Sequence, residues 1–428
     1  MIRYLVIAGA ALLSVLMWID RACISAAKSD IAGDLGLTDT QVGWVMGAFT
    51  LGYAFFQVPG GKLADRFGPR LAMTLVCVLW SLFTMLTGVV RSYGPMLGVR
   101  FLFGVGEAGG YPTITRAFAN WLPIGERGIA NSISFSGGRL GAALAMPLVV
   151  WLIDAVDGWQ NAFLTFGLVG LVVAAVWFLL FRDRPETHFA VSEAEAAHIV
   201  ATRTAAPASM EEAAPQADAS PLPLAALASP TMLMLMLQYV AHNFTFFFVV
   251  SWFFPYFKER YDLTPEQAAL YTAAPLLCGV VGNWLSGATV DALYRRGRWR
   301  LSRRLPAAVG FTLAAIGMSL CVSMTDPQLA VACMCLAIFG SDMVLSPSWS
   351  TCMDIGGASV GTVSGAMNMI GNLGSFAVTL AFPVMVARFG SHVPFFYLAA
   401  ALNLVSIGLW FLIRPDRPLA APAIASDD

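Results

Sequence analysis

Asp20 and Arg21 stand side by side in WIDRACISAA, inside an apolar run that begins at Tyr4. Other charges interrupt later apolar runs: Arg100 and Glu107 in VRFLFGVGEAGG, Arg139 in SFSGGRLG and Asp342 in FGSDMVL. At bilayer depth each such charge costs about 2.5–3.5 kcal/mol on insertion scales, so it needs a function or a partner. The chemistry on offer is proton and anion exchange. Desolvation favours the protonated form of a buried carboxyl, and a nearby guanidinium favours the charged form. Arginine matches a carboxylate with two parallel N–H groups and keeps its charge. A proton on Asp20 or Glu107 would therefore free Arg21 or Arg100 to bind an acidic solute.

Spacing suggests which charges meet. Adjacent helical residues point about 100° apart, so Asp20 and Arg21 cannot share one partner. Arg100 and Glu107 are a heptad apart and share a helix face. Asp20 and Arg100 both lie about 9 Å from the outer ends of their runs at about 1.5 Å per residue. Equal depth predicts an Asp20–Arg100 pair and leaves Arg21 for the solute. Arg139 needs an acid, a helix carbonyl or a wet cavity beside it.

The second half of the chain is polar with little charge. Gln238, Tyr239, His242, Asn243, Ser341, Ser346, Ser348, Trp349, Ser350, Asn368 and Asn372 all fall in apolar runs. Such groups suit a polyol, or else they bond neighbouring helices at about 0.6 kcal/mol each. Asp342 could bind a sugar hydroxyl, carry a second proton or pair with Arg139.

The elements that carry these residues are membrane helices. Of 428 residues 58% are hydrophobic and 12% charged, about half the charge of a soluble protein. Twelve runs are long enough to cross a bilayer: 4–26, 41–62, 71–91, 95–118, 128–152, 160–181, 231–257, 265–291, 304–324, 328–352, 357–387 and 393–413. The opening run, which could pass for a signal peptide, reads as the first span because it lacks a small-x-small cleavage site. With both termini inside, 17 Lys and Arg fall on cytoplasmic segments and 5 on outer ones, which sets the orientation in a plasma membrane. The cysteines all lie in apolar segments and read as small buried side chains. Neither a metal cluster nor a cofactor motif is expected, and the net charge of −1 gives no reason to expect nucleic acid.

The fold class predicted is an all-α polytopic membrane protein, with twelve transmembrane helices in two pseudo-symmetric six-helix bundles. The bundles cover 1–181 and 231–414, with a cytoplasmic linker at 182–230 and a tail at 415–428. Early in the linker a short surface helix is expected, and after Thr204 its Ala, Pro and acidic composition reads as flexible. Two internal echoes support the bundles. GGKLADRFGPR, with Asp65, Arg66 and Arg70, is echoed by SGATVDALYRRGRWR, with Asp291 and Arg295. GIANSISFSGGRLG aligns without gaps on GTVSGAMNMIGNLG, setting Arg139 opposite Asn372. Repeats of this kind mark secondary transporters.

GGKLADRFGPR resembles the cytoplasmic loop signature of the major facilitator superfamily. WIDRACISAA, VRFLFGVGEAGGYPTITRAFANWLPIGERGIA, NFTFFFVVSWFFPYF and DIGGASVGTVSGAMNMIGNLG resemble its anion:cation symporter family. The resemblance covers the chain except the linker. It implies a proton-coupled carrier of organic anions, sugar acids among them, that works as a monomer. It implies that Asp20 and Glu107 handle protons. It implies that Arg21 and Arg100 serve substrate or the coupling network, and that Tyr53 and Trp349 line the cavity. Arg139, Asn243, Asp342, Asn368 and Asn372 complete the candidate substrate contacts. Asp65, Arg66, Arg70, Asp291 and Arg295 are expected to lock helix ends in the outward-facing state. One departure is Cys23, where the family usually has Asn. The competing expectation is an anion exchanger of the same fold, which needs no proton acceptor. An enzyme is not expected, since neither a phosphate-binding loop nor a nucleophile motif is present.

Overall fold

The structure is a computed structural model that describes residues 2–203 and 222–419. The linker expected to be flexible after Thr204 and the end of the tail fall outside the described residues. Within them the chain is helical: α1 (Ile2–Ala26), α2 (Lys28–Leu35), α3 (Asp39–Phe55), α4 (Gln57–Val89), α5 (Tyr93–Glu107), α6 (Gly110–Trp121), α7 (Arg127–Ala155), α8 (Trp159–Leu180) and α9 (Glu193–Arg203). There follow α10 (Pro230–Phe248), α11 (Phe254–Arg260), α12 (Pro265–Arg295), α13 (Trp299–Cys321), α14 (Pro327–Met343), α15 (Leu345–Gly356), α16 (Val360–Phe389) and α17 (Val393–Leu412). The α9 helix is the surface helix expected early in the linker.

Among the described residues, nine stretches are long and apolar enough by themselves to cross a membrane. Two of them, Gln57–Val89 and Pro327–Phe389, each carry parts of two expected spans. The fourth expected span is split between α5 and α6 and so escapes the length criterion. Local chemistry explains the joints. In α4, Gly68 takes φ +81°, a conformation open to glycine, and Pro69 then starts the next helical stretch. Thr38 with Gln41 and Thr264 with Gln267 close reciprocal capping boxes on α3 and α12, which fixes where those helices begin. A single π-helical turn, Val249–Phe253, joins α10 to α11. Pro255, which has no N–H to return, is the second residue of α11.

Two compact units emerge. The first comprises 1–123, 133–204 and 359–365, and the second 124–132, 205–358 and 366–428. Each unit thus contains the first turn of a long helix, α16 or α7, whose remainder belongs to the other. In the first unit α3 and α5 approach closely through glycine. A methyl on Gly104 would overlap the Phe49 carbonyl, and one on Gly52 the Phe101 carbonyl. Small residues at helix contacts are how membrane helices gain packing without a hydrophobic driving force. The second unit is cored by Phe248, Phe253, Phe257, Phe382, Phe395 and Phe396.

Candidate substrate and proton site

In the first unit the charges pair differently from the depth argument. Arg21 Nε donates to Glu107 Oε1 at 2.8 Å, and the Glu107 side chain is fully buried. The Arg21 guanidinium is also caged by aromatic rings, 4.3 Å from the Tyr53 centroid, 5.3 Å from Trp18 and 5.5 Å from Phe49. Trp18 Nε1 donates to the Tyr111 hydroxyl at 3.0 Å, and the Tyr111 ring stacks on Phe135. These contacts hold the cage in place. An arginine over several rings in a dry site gains about 0.5–2 kcal/mol from each.

Asp20 and Arg100 do not form the expected ion pair. Both are buried, yet Asp20 Oδ1 and Arg100 Nε have no hydrogen-bond partner. The Arg100 guanidinium lies over Phe103 at 4.6 Å and Phe49 at 5.6 Å instead. The two charges remain near enough to act on each other electrostatically. Matching depth along two helices therefore does not ensure matching direction around them. Cys23, in the place of the family's usual Asn, donates its thiol to the Ile19 carbonyl of its own helix. Arg139 is half-buried on α7, next to Gly138, on which the Trp18 indole and Tyr111 hydroxyl pack.

In the second unit most of the polar side chains are consumed by each other. Gln238 Nε2 donates to Ser348 Oγ at 3.1 Å, and Trp410 Nε1 donates to Gln238 Oε1 at 3.2 Å. His242 Nδ1 lies 2.9 Å from both the carbonyl and the hydroxyl of Ser341. A carbonyl only accepts, so Nδ1 carries the proton. Ser346 bonds to Ser132 and Asn283, and Ser350 accepts from Asn131. Trp349 Nε1 donates to the Tyr239 hydroxyl at 2.9 Å. Gly371 of α16 packs on Tyr239 and Asn243, so that Asn368 and Asn372 flank this contact. Asn372 Nδ2 donates to the Asn368 carbonyl within the helix. Asp342, buried near the end of α14, turns its carboxylate towards Gly279 of α12.

The loop repeat forms two equivalent caps. Asp65 accepts from the backbone N–H of Gly361 at 2.8 Å and of Thr362 at 2.7 Å, and from the Thr362 hydroxyl at 2.7 Å. Asp291 accepts from the N–H of Gly128 at 2.8 Å and of Ile129 at 2.9 Å. Each carboxylate thus satisfies orphan donors at the start of a long helix and meets the positive end of its dipole. Arg66, Arg70 and Arg295 do not hydrogen-bond to these carboxylates, though Arg295 lies near enough to Asp291 to act on it electrostatically. Arg66 is exposed over Phe67. Arg70 stacks on Phe178, and its N–H is capped by Asp183. Arg295 is exposed on the last turn of α12.

Sequence reasoning missed Asp354. Its buried carboxylate accepts from Arg303 Nε at 2.8 Å, Trp299 Nε1 at 3.1 Å and Arg127 Nη1 at 3.3 Å. The signal was an acid at the end of the tenth run, with Arg127 and Arg303 counted only as topological charges.

Comparison with known proteins gives this geometry a context. The family model described as Major Facilitator Superfamily matches residues 10–379. The chain is 32% identical over 421 residues to the Cupriavidus necator protein named Probable sulfoacetate transporter, covering 97% of this chain and 96% of that one. It is 31% identical to the Probable galactarate/D-glucarate transporter GarP of Escherichia coli K12, covering 91% and 89%. To the Hexuronate transporter of Bacillus subtilis it is 27% identical, covering 97% and 94%. The solved proton:xylose symporter XylE superposes with a TM-score of 0.73 at 14% identity, covering 97% of each chain, a likeness of fold. The chain is a multi-pass membrane transporter rather than an enzyme, and it belongs to the major facilitator superfamily.

Proposed function

We propose that the chain takes up an organic anion, a sugar acid or a similar carboxylate, together with protons, by alternating access. The observation that carries this reading is the Arg21–Glu107 pair, in which the carboxylate is fully buried and the guanidinium is caged by rings. A fixed cation whose partner can be neutralised by a proton is a switch for anion binding. Protonation of Glu107 releases Arg21 to a substrate carboxylate, and deprotonation takes it back. Asp20, with an unpartnered buried oxygen beside Arg100, is the second proton carrier. Arg139, Tyr53, Asn243, Trp349, Asn368 and Asn372 complete the substrate contacts, with Arg100 holding the charge balance. The transporter lies in the inner membrane with both termini in the cytoplasm and acts as a monomer. Its two bundles are 1–181 and 231–414, joined through 182–230, with 415–428 as the tail. Asp65 and Asp291 hold helix ends in the conformation described and let go in the alternate one, with Arg66, Arg70 and Arg295 as their basic surround. The names of the relatives support an acidic substrate.

The test is uptake into proteoliposomes of galactarate, D-glucuronate and sulfoacetate under an imposed pH gradient. Accumulation should follow the gradient and vanish when an ionophore collapses it. Uptake indifferent to the gradient would leave the exchanger reading standing.

A further inference from the structure

The two halves repeat more closely than the loop motif alone reveals. The interval that maps Asp65 onto Asp291 also maps the capping box Thr38–Gln41 onto Thr264–Gln267, and Gln57 onto Asn283. Carried along α3, it maps Tyr53 onto Gly279. A second correspondence joins the broken helices. Pro112 is the third residue of α6 and Pro347 the third of α15. A proline returns no N–H to the carbonyl four residues earlier, here those of Ala108 and Met343. The backbone stays right-handed helical at Ala108 and at Val344, so each break is a lost hydrogen bond and not a sharp kink. At the end of α14 the freed Met343 carbonyl accepts from Ser286 Oγ of α12. Counting back five residues from each proline reaches Glu107 and Asp342, both buried.

We infer that Asp342 is the equivalent of Glu107 in the second half and binds a further coupled proton. This rests on the proton-coupled reading above and deepens it. In the first half Tyr53 lies against the guanidinium that pairs with the acid. In the second half the equivalent position is Gly279, and the Asp342 carboxylate occupies the room a side chain would need. From α10 the titratable groups facing this region are His242, whose Nδ1–H is bonded to Ser341, and Tyr239. From α12 there is Cys278, a free thiol that hydrogen-bonds with the free thiol of Cys335, one heptad before Asp342. Against the neighbouring turn α13 sets Gly310, Leu313 and Ala314, and Asp354 of α15 is held by Arg127 and Arg303. The proton enters with the substrate from one side and leaves Asp342 to the other, with no covalent change.

The experiment is proton stoichiometry in proteoliposomes, with the membrane potential clamped at zero and galactarate, D-glucuronate and sulfoacetate as probes. Each coupled proton raises limiting accumulation about tenfold per pH unit. Asp342→Asn should lower that dependence by about tenfold per pH unit, while substrate counterflow stays within about threefold of wild type. An unchanged dependence overturns the inference, and so does loss of counterflow in a monodisperse variant, which would make Asp342 a substrate contact. Should Asp342→Asn not fold, dye-reported proton uptake on galactarate binding by the double variant Asp20→Asn, Glu107→Gln decides. That variant must still take up a proton through Asp342, and none taken up overturns the inference. A wild type that accumulates none of the three probes under any pH gradient overturns the parent reading instead.

Discussion

Replacing Asp65 by Asn tests the helix caps with little change of shape. The carboxylate accepts three hydrogen bonds, two from the first N–H groups of α16 and one from the Thr362 hydroxyl. An amide keeps one acceptor oxygen and turns its NH2 group towards the remaining donor. The loss is one charge-assisted bond, worth about 1.5–3 kcal/mol when buried, and the charge–dipole attraction, about 0.3–1 kcal/mol. Asp65 is only half-buried, so solvent screening lowers the first figure. The net change is about 2 kcal/mol, or about 30-fold in the balance between the capped and uncapped conformations. Asp291→Asn, with a fully buried carboxylate and two bonds, should shift it at least as far. If the caps act independently, the effects add in the double variant. The assay pairs galactarate uptake into proteoliposomes with galactarate binding to detergent-purified protein. Transport should fall by tenfold or more, with the apparent Kd within about threefold. Equal losses in binding and transport would refute the reasoning, because the caps would then be holding the site and not the switch.

Further changes, two of them with a control, follow from other contacts. Glu107→Gln leaves the Arg21 charge without its acid, a break that costs about 3–5 kcal/mol in a buried pair, partly offset by the aromatic cage; Tm should drop and the pH dependence of accumulation should fall by about tenfold per pH unit while counterflow persists. Asp354→Asn deprives two arginines and Trp299 of their acceptor and should destabilise by about 3 kcal/mol or more. By contrast Asp416→Asn, whose partner Arg300 is mostly exposed, should change Tm by little, as surface pairs contribute under about 1 kcal/mol. Gly104→Ala sets a methyl against the Phe49 carbonyl and should destabilise by about 1–3 kcal/mol. Gly98→Ala, with open space beside it, should leave Tm unchanged in the same thermal-shift series.

The spans and the repeat were readable because both are one-dimensional signals. Twenty apolar residues make a span wherever it packs, and Gly-x-x-x-Asp recurs in the right order. The charged candidates were readable too, because a charge in an apolar run is rare. Pairing was not readable. Counting residues gives depth along a helix, but the direction a side chain faces depends on tilt and on which neighbour sits beside it. Asp20 and Arg100 match in depth, yet Arg21 meets Glu107 and the rings of Phe49 and Phe103 take Arg100. The polar residues of the second half show the same limit. Composition could not separate Gln238, which bonds Ser348 and Trp410, from Asn243, which packs at Gly371. A third echo, Asp-Arg-Pro at 183–185 and 416–418, was too short to notice without its contacts. Asp183 caps the N–H of Arg70, and Asp416 accepts from Arg300.

The repeat constrains backbone more tightly than charge, and that difference bears on mechanism. Capping boxes, helix caps and the prolines after Glu107 and Asp342 keep their places in both halves. The side chains around the two acids do not. The first half surrounds Glu107 with arginine and rings, while the second leaves Gly279 beside Asp342 and spends its amides and hydroxyls on interhelical bonds. Hydrogen bonds freed by proline and helix ends held by a carboxylate recur in each half, so on the proposed function the same helix motions would be open to both. Divergent side chains let one half hold fixed positive charge while the other stays close to neutral. On the proposed function, the arginines of the first half would attract the anion. On that same reading, the second half would contribute specificity through the polar groups near Gly371, chiefly Asn243, which packs there. Substitutions at Asn243 should therefore change which acid is preferred more than whether protons drive its uptake, and substitutions at Glu107 the reverse.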